Sequence, residues 1–273
     1  MALLKNNPFV NIVAGSRASL NLPVNGPTYH FLLLRLVTLL VSDIERIRLQ
    51  LNAKTVIDVP GELLQAMNVY KGDQTSATVL SLDFTEMLAK ELADELSGVI
   101  PTAVGVSNLT VYVDIKAGAT VSAGDLDSWS FVSGLIPSAN PLGNIQHLIA
   151  QTHNFQGANT YDVDLPHGIS SGHLIKRIWV VKKSGTGEVT AVDLRKNQLP
   201  VMETIKEIND FYLERYNGVL DTSFYCLDMV ASNHTIGGLL TTKDAGDLRL
   251  KITTDNSCVC DIYIESLADL ALI

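Results

Sequence analysis

Three landmarks recur in this chain in the same order and at nearly the same spacing. In the first half a strand-like run leads to Pro60, an amphipathic segment, Tyr70-Lys71-Gly72 and then Leu80-Ser81-Leu82-Asp83-Phe84. In the second half a similar run leads to Pro200, an amphipathic segment, Tyr216-Asn217-Gly218 and then Tyr225-Cys226-Leu227-Asp228-Met229. The offsets are 140 residues for the prolines, 146 for the tyrosines and 145 for the Leu-Asp pairs, close to half of the 273-residue length. A chain that repeats itself at that period folds one kind of domain twice. The reading sets an N-terminal domain over residues 1–125 and a C-terminal domain over 126–273. No stretch richer in Gly, Ser or Pro than its surroundings separates them, 117–124 being the softest, so the two domains abut.

Most of the chain alternates with period 2. Ile47, Leu49 and Leu51 fall on one face of a strand and Arg46, Arg48 and Gln50 on the other, as in a half-buried antiparallel strand. Residues 109–115, 174–181, 220–229, 248–252 and 258–264 are further β-branched or aromatic runs bounded by turn residues, and about ten strands are expected in all. Three segments carry helical spacing instead: 60–69, 85–96 and 201–216. The last shows an Ile205, Ile208 and Phe211 or Tyr212 stripe, expected to pack on the second domain, opposite Glu203, Lys206, Glu207 and Glu214. Few helices among many strands exclude an alternating βαβ chain. The expected fold is all-β, two tandem eight-stranded jelly rolls with a few inserted helices, with Pro60 and Pro200 opening equivalent helices.

Charge and composition narrow the function. Hydrophobic residues make up 47% and charged residues 18%, which excludes disorder. The net charge of −9 and the absence of a basic cluster speak against direct nucleic-acid binding. The longest apolar run, 31–41, is too short to span a bilayer and contains Arg35. Cys258 and Cys260 share one strand face and, with Cys226, are expected to be buried thiols in a reducing compartment rather than zinc ligands.

Sites of chemistry are hard to assemble from this sequence. Gly168-Ile169-Ser170-Ser171-Gly172 has the spacing of a nucleophile elbow, but a strand follows where that motif needs a helix. The six histidines, His30, His147, His153, His167, His173 and His234, include no His-x-His and no helical i, i+4 pair. Asp125/Asp127, Asp162/Asp164 and Asp244/Asp247 offer carboxylates without the spacing of a calcium loop. The expectation is therefore no enzyme, with no catalytic residue and no cofactor-binding residue; metal ligands are not assigned.

Several segments do carry a resemblance. Ile12-Val13-Ala14-Gly15 through Leu20-Asn21-Leu22-Pro23, the strand entry over 42–51, Asp164-Leu165-Pro166, the helix end over 212–218, Val219-Leu220-Asp221 and the 247–252 strand resemble, in matching order, the major capsid protein of corticoviruses. Residues 66–107 and 117–160 resemble it least. The resemblance implies a double jelly-roll subunit and a homotrimer of pseudo-hexagonal outline. It also implies a lattice shared with neighbouring capsomers and other capsid proteins, over an internal viral lipid membrane, and structural calcium (Ca2+) at subunit contacts. Such a protein is made in the host bacterial cytoplasm and ends in the virion capsid. Residues 1–13, apolar with Lys5 and no acid, are then the expected membrane contact, a terminal arm outside the jelly-roll core. A carbohydrate-binding, lectin-like jelly roll is the competing class, but only Trp129 and Trp179 are on hand as large stacking platforms.

Overall fold

The computed structural model of the chain describes residues 1–74, 76–103, 105–122, 124–134, 144–216 and 218–269. The chain divides into two compact units between Ile149 and Ala150. The first contains β1 (Ala2–Lys5), β2 (Arg17–Asn21), β3 (Thr28–Leu36), β4 (Ile44–Leu51), β5 (Lys54–Val59), α1 (Gly61–Tyr70), β6 (Val79–Asp83), α2 (Leu92–Glu95), β7 (Ile100–Pro101), β8 (Leu109–Ile115) and β9 (Leu126–Ser133). β10 (Asn144–Phe155) runs through the division. The second unit continues with β11 (Asn159–Asp164), β12 (Leu174–Gly185), β13 (Val189–Lys196), β14 (Leu199–Ile205), α3 (Lys206–Arg215), β15 (Phe224–Asp228), α4 (Thr235–Gly238), β16 (Leu240–Thr241), β17 (Leu248–Thr254) and β18 (Cys258–Asp269).

Each unit is an eight-stranded jelly roll. The first has one sheet in the order β1-β9-β3-β6 and another in the order β5-β4-β8-β2; the second repeats this as β10-β18-β12-β15 and β14-β13-β17-β11. Even the short additions match, with β7 beside β3 and β16 beside β12. The alternating residues decide which face turns inward. Ile47, Leu49, Val111 and Val113 are wholly buried in the first unit, and Leu194, Leu250 and Ile252 in the second. Each such aliphatic side chain removed from water contributes roughly 1.5–3 kcal/mol.

The registers show a period of 145 residues more sharply than the sequence landmarks do. Leu49 lies opposite Ile57 and Leu194 opposite Met202, both offset by 145; Leu82 lies opposite Leu32 and Leu227 opposite Ile178, offset by 145 and 146. Gly61 and Lys206 open the two helices, again 145 apart. The equivalent of Pro60 is thus Ile205, and Pro200 does not open a helix. It lies in β14, opposite Arg195 at a register shift; the counterpart there is Thr55, opposite Gln50 at the same shift. A proline is tolerated there because a bulge on an edge strand does not need its missing N–H. Asn217 of the Tyr-x-Gly landmark lies outside the described residues.

Four expectations change. The domain boundary moves from 125/126 to 149/150, because Leu126–Ser133 pairs with β1 and β3 inside the first jelly roll. The helix expected over 85–96 shrinks to the single turn Leu92–Glu95, with Leu88 and Leu92 exposed and the preceding loop closed by Glu86 N–H donating to Glu95 O at 3.1 Å. The helix expected over 201–216 starts at Lys206, since 201–205 are paired as β14, and it buries Asn209 and Leu213 instead of Ile205 and Ile208. Finally, residues 1–13 are no free arm. Ala2–Lys5 pair with β9 along four residues, Phe9 is buried and Val10 bridges Ser19 on β2.

Candidate assembly surfaces

The two jelly rolls share a fold but not a surface, and the difference concentrates on one face. In the first unit the outward residues of β2, β8, β4 and β5 interlock. Arg46 Nε and Arg48 Nε meet Asp58 at 2.6 and 3.3 Å, and Asp114 takes Arg48 at 2.7 Å and Arg17 at 2.6 Å. Arg17 also lies over the Tyr112 ring, and the Asp114 hydrogen bond raises its already high pKa. Long paired side chains fill this face.

In the second unit the residues in the same registers are short or acidic. Ala191, Asp193, Glu203, Thr253 and Thr160 stand where Arg46, Arg48, Asp58, Asp114 and Arg17 stand in the first. The result is a groove of about 660 Å³ rimmed by Ile205 and Ile208. Asp193 pairs with Arg195 at 2.7 Å, but its other oxygen is buried and, among the described residues, receives no hydrogen bond. It also lies directly opposite Glu203, an arrangement of like charges that costs stability.

The helices diverge in the same sense. α1 buries Leu63, Leu64, Met67 and Tyr70, while on α3 the apolar Ile208, Phe211 and Tyr212 stay exposed, Phe211 at 69%. Each helix is tied down by one asparagine: Asn68 Nδ2 donates to Ser81 O at 2.7 Å and Asn209 Nδ2 to Cys226 O at 2.8 Å. The two acceptors are equivalent in the repeat and the donors sit one helical turn apart on the same face, so both helices turn that face inward, and α3 differs in leaving Ile208 and Tyr212 exposed where α1 buries Leu63 and Met67. Ile205, Ile208 and Phe211 are spaced like a core stripe, and only the tie at Asn209 reveals that they point out.

The residues with chemical promise are committed to structure. Ser170 is exposed in a turn whose ends meet through Gly172 N–H donating to Gly168 O at 2.8 Å, and β12 follows at once, so no strand-to-helix elbow forms. His167 and His173 flank this loop. His167 Nδ1 bonds Leu165 O at 2.8 Å, and the His173 N–H donates to Thr242 Oγ1. Burial lowers the pKa of His30, His153 and His173, with Lys243 adding to the effect at His173. His30 bonds Ser133 Oγ at 2.8 Å, His147 is buried, and His234 precedes α4. Cys226, Cys258 and Cys260 are buried thiols, the sulfurs of the last two 3.7 Å apart, and burial pushes the Cys260 thiol up to about 12.

The acidic pairs are likewise engaged. Asp125 accepts from Thr38, Asp127 meets Lys5 and Arg35, Asp164 and Asp247 meet Arg249, and Asp244 meets Lys196, which lowers the Asp244 pKa. Among the described residues no three His, Cys, Asp or Glu side chains converge as metal ligands, and no helix is long and apolar enough to cross a membrane. The glycine loop yields a prediction. A Cβ at Gly172 would come within 2.5 Å of Gly168 O and 2.6 Å of Lys243 Cα, both backbone atoms. Gly172→Ala should therefore cost roughly 1–3 kcal/mol in urea unfolding, whereas Ser170→Ala should change stability by no more than about 0.5 kcal/mol.

The sequence reading missed a buried ionic network on the sheet β15-β12-β18. Arg177 Nε binds Asp228 at 2.9 Å and Arg177 Nη1 binds Glu265 at 3.3 Å; Lys176 reaches Glu265 at 3.6 Å, and Trp179 Nε1 donates to Glu265 at 3.0 Å. All four charged side chains are at most 6% exposed. The only signal was the cation pair Lys176-Arg177 set between the apolar residues Leu174-Ile175 and Ile178–Val181.

A duplicated jelly roll with diverged outer faces is the architecture of a viral shell protein. The likeness to solved structures agrees: the major capsid protein P2 from bacteriophage PM2 superposes with a TM-score of 0.85 at 22% identity, over 98% of this chain and 97% of that one. The STIV MCP follows at 0.68 and 11% identity, covering 97% and 96%, and PBCV-1 VP54 at 0.62 and 8%, covering 97% and 92%. No curated protein sequence matches. Family models for the viral coat protein P2 N-terminal domain and C-terminal domain match residues 3–133 and 145–270, so the chain belongs to the viral coat protein P2 family. It is a structural capsid protein with a double jelly-roll fold, and its place is the virion capsid.

Proposed function

We propose that three copies of this chain form a capsomer of pseudo-hexagonal outline, and that these capsomers tile an icosahedral shell over an internal lipid membrane. The observation that carries this reading is the strand-for-strand duplication: one chain supplies two equivalent jelly rolls, so three supply six. The role is structural and not catalytic. A surface of net charge −9 suits a shell that a membrane keeps from the genome, since it has no phosphates to neutralise. Structural calcium belongs in this reading at contacts between copies. Three buried thiols accord with synthesis in a reducing bacterial cytoplasm.

Trp179 argues against the lectin alternative, because it is wholly buried, edge-on to Phe224 and bonded to Glu265. The test is solution mass. Light scattering should give about 89 kDa, three chains of 29.6 kDa, at micromolar concentration. A 29.6 kDa monomer that binds glycans would refute the capsomer and favour the lectin.

A further inference from the structure

The duplication sets a rule that the second half leaves unfinished. In the first unit, β5 is no sheet edge: β10 meets it in parallel at one residue pair, Leu148 opposite Ile57. β10 is the counterpart of β1, since it neighbours β18 as β1 neighbours β9. The counterpart of β5 is β14, and the residue equivalent to Ile57 is Met202. β14 has β13 on one side and, among the described strands, nothing on the other. Among the described strands β1 likewise has only β9.

We infer that β1 of a second copy adds in parallel to the open edge of β14, around Met202, and so repeats between chains the β10–β5 pairing seen within one. This rests on the trimer proposed above and names the strand contact that would close it. Both edges are apolar and exposed. Leu3 and Leu4 are each 53% exposed, and Val201 and Ile205 are 41% and 49%. Long exposed apolar edges are normally blunted or covered, and here Pro200 blunts only the start of β14. The charges are complementary: residues 1–13 hold Lys5 and no acid, while β14 and α3 carry Glu203, Glu207, Asp210 and Glu214 against Lys206 and Arg215. The exposed Ile208 and Phe211 of α3 continue from the end of β14, so the arriving copy covers them too.

Disulfide trapping in the full chain tests this. Leu3→Cys is combined in turn with Val201→Cys, Met202→Cys and Glu203→Cys, spanning the registers around Met202. Neighbouring strands run about 4.8 Å apart, which suits a disulfide, and the native cysteines are buried. After mild oxidation, at least one pair should give covalent dimers and trimers on a non-reducing gel, absent in each single-cysteine variant. Unaltered chain of trimer mass with no cross-link in any pair overturns the strand contact and leaves the capsomer standing. Monomeric unaltered chain overturns both. As a second measurement free of substitutions, amides of 201–205 that point away from β13 should exchange at least about tenfold slower in the trimer than in unstructured chain. Unprotected amides there also overturn the contact.

Discussion

Glu265→Ala should destabilise the chain by about 3–5 kcal/mol, the range seen when one partner of a buried ion pair is removed. Glu265 is 1% exposed, and three donors converge on its carboxylate: Lys176 Nζ, Arg177 Nη1 and Trp179 Nε1. These come from β12, so the substitution strikes the junction of β12 and β18, which pair at ten positions. Alanine removes the negative charge where two cations have been taken out of water, and desolvated cations are costly without it. Glu265→Gln should fall between, because its amide oxygen still accepts from Trp179 while the charge is gone. Lys183→Ala removes an ion pair of similar length, 3.5 Å to Asp261, but Lys183 is 57% exposed, so its loss should stay below about 1 kcal/mol. Urea midpoints at one fixed chain concentration decide the matter, since assembly makes stability concentration-dependent. A Glu265→Ala midpoint within error of Lys183→Ala would show that the network is solvated.

That network marks where sequence ceased to be informative. Ile47, Leu49 and Leu51 announced their strand, and β8, β17 and the start of β18 were found where alternation placed them, because a half-buried strand writes its burial into every second residue. Arg177 and Glu265 write nothing of the kind: they meet across strands far apart in the chain, and each alone reads as a solvated charge. Ile205, Ile208 and Phe211 fail for the opposite reason. Helical apolar spacing marks a face that leaves water, and it is the same whether a core or another molecule does the covering. Pro200 carried a warning in its offset of 140 where the other landmarks gave 146 and 145. A proline before an amphipathic run suits a helix start as well as a bulged edge strand, and only the register of β13 against β14 separates them. The contrast between the filled face of Arg46 and Arg48 and the hollow one of Ala191 and Asp193 becomes readable once the halves are aligned at 145.

Deleting residues 1–10 should abolish the folded first jelly roll, although the sequence alone makes this segment look like a dispensable arm. Four residues of β1 pair with β9, and the connection onward is as firm. Asn6 N–H donates to Ser128 O at 3.0 Å, Asn6 Oδ1 accepts from Ser130 Oγ at 2.6 Å, and Val10 and Ser19 exchange two backbone hydrogen bonds at 2.9 and 3.1 Å. The segment thus ties β9 of one sheet to β2 of the other. Between these ties sits Phe9, 5% exposed. Truncating a buried phenylalanine alone costs about 3–5 kcal/mol, so Phe9→Ala should lower the unfolding midpoint while leaving a folded chain. The deletion adds to this the loss of a whole strand and bares the β9 edge, which then invites strand-to-strand aggregation. Since a domain's entire stability is about 5–15 kcal/mol, the combined loss should leave insoluble chain with no capsomer-sized species by light scattering. A soluble, cooperatively unfolding protein after the deletion would restore the arm and remove β1 from the core of the jelly roll.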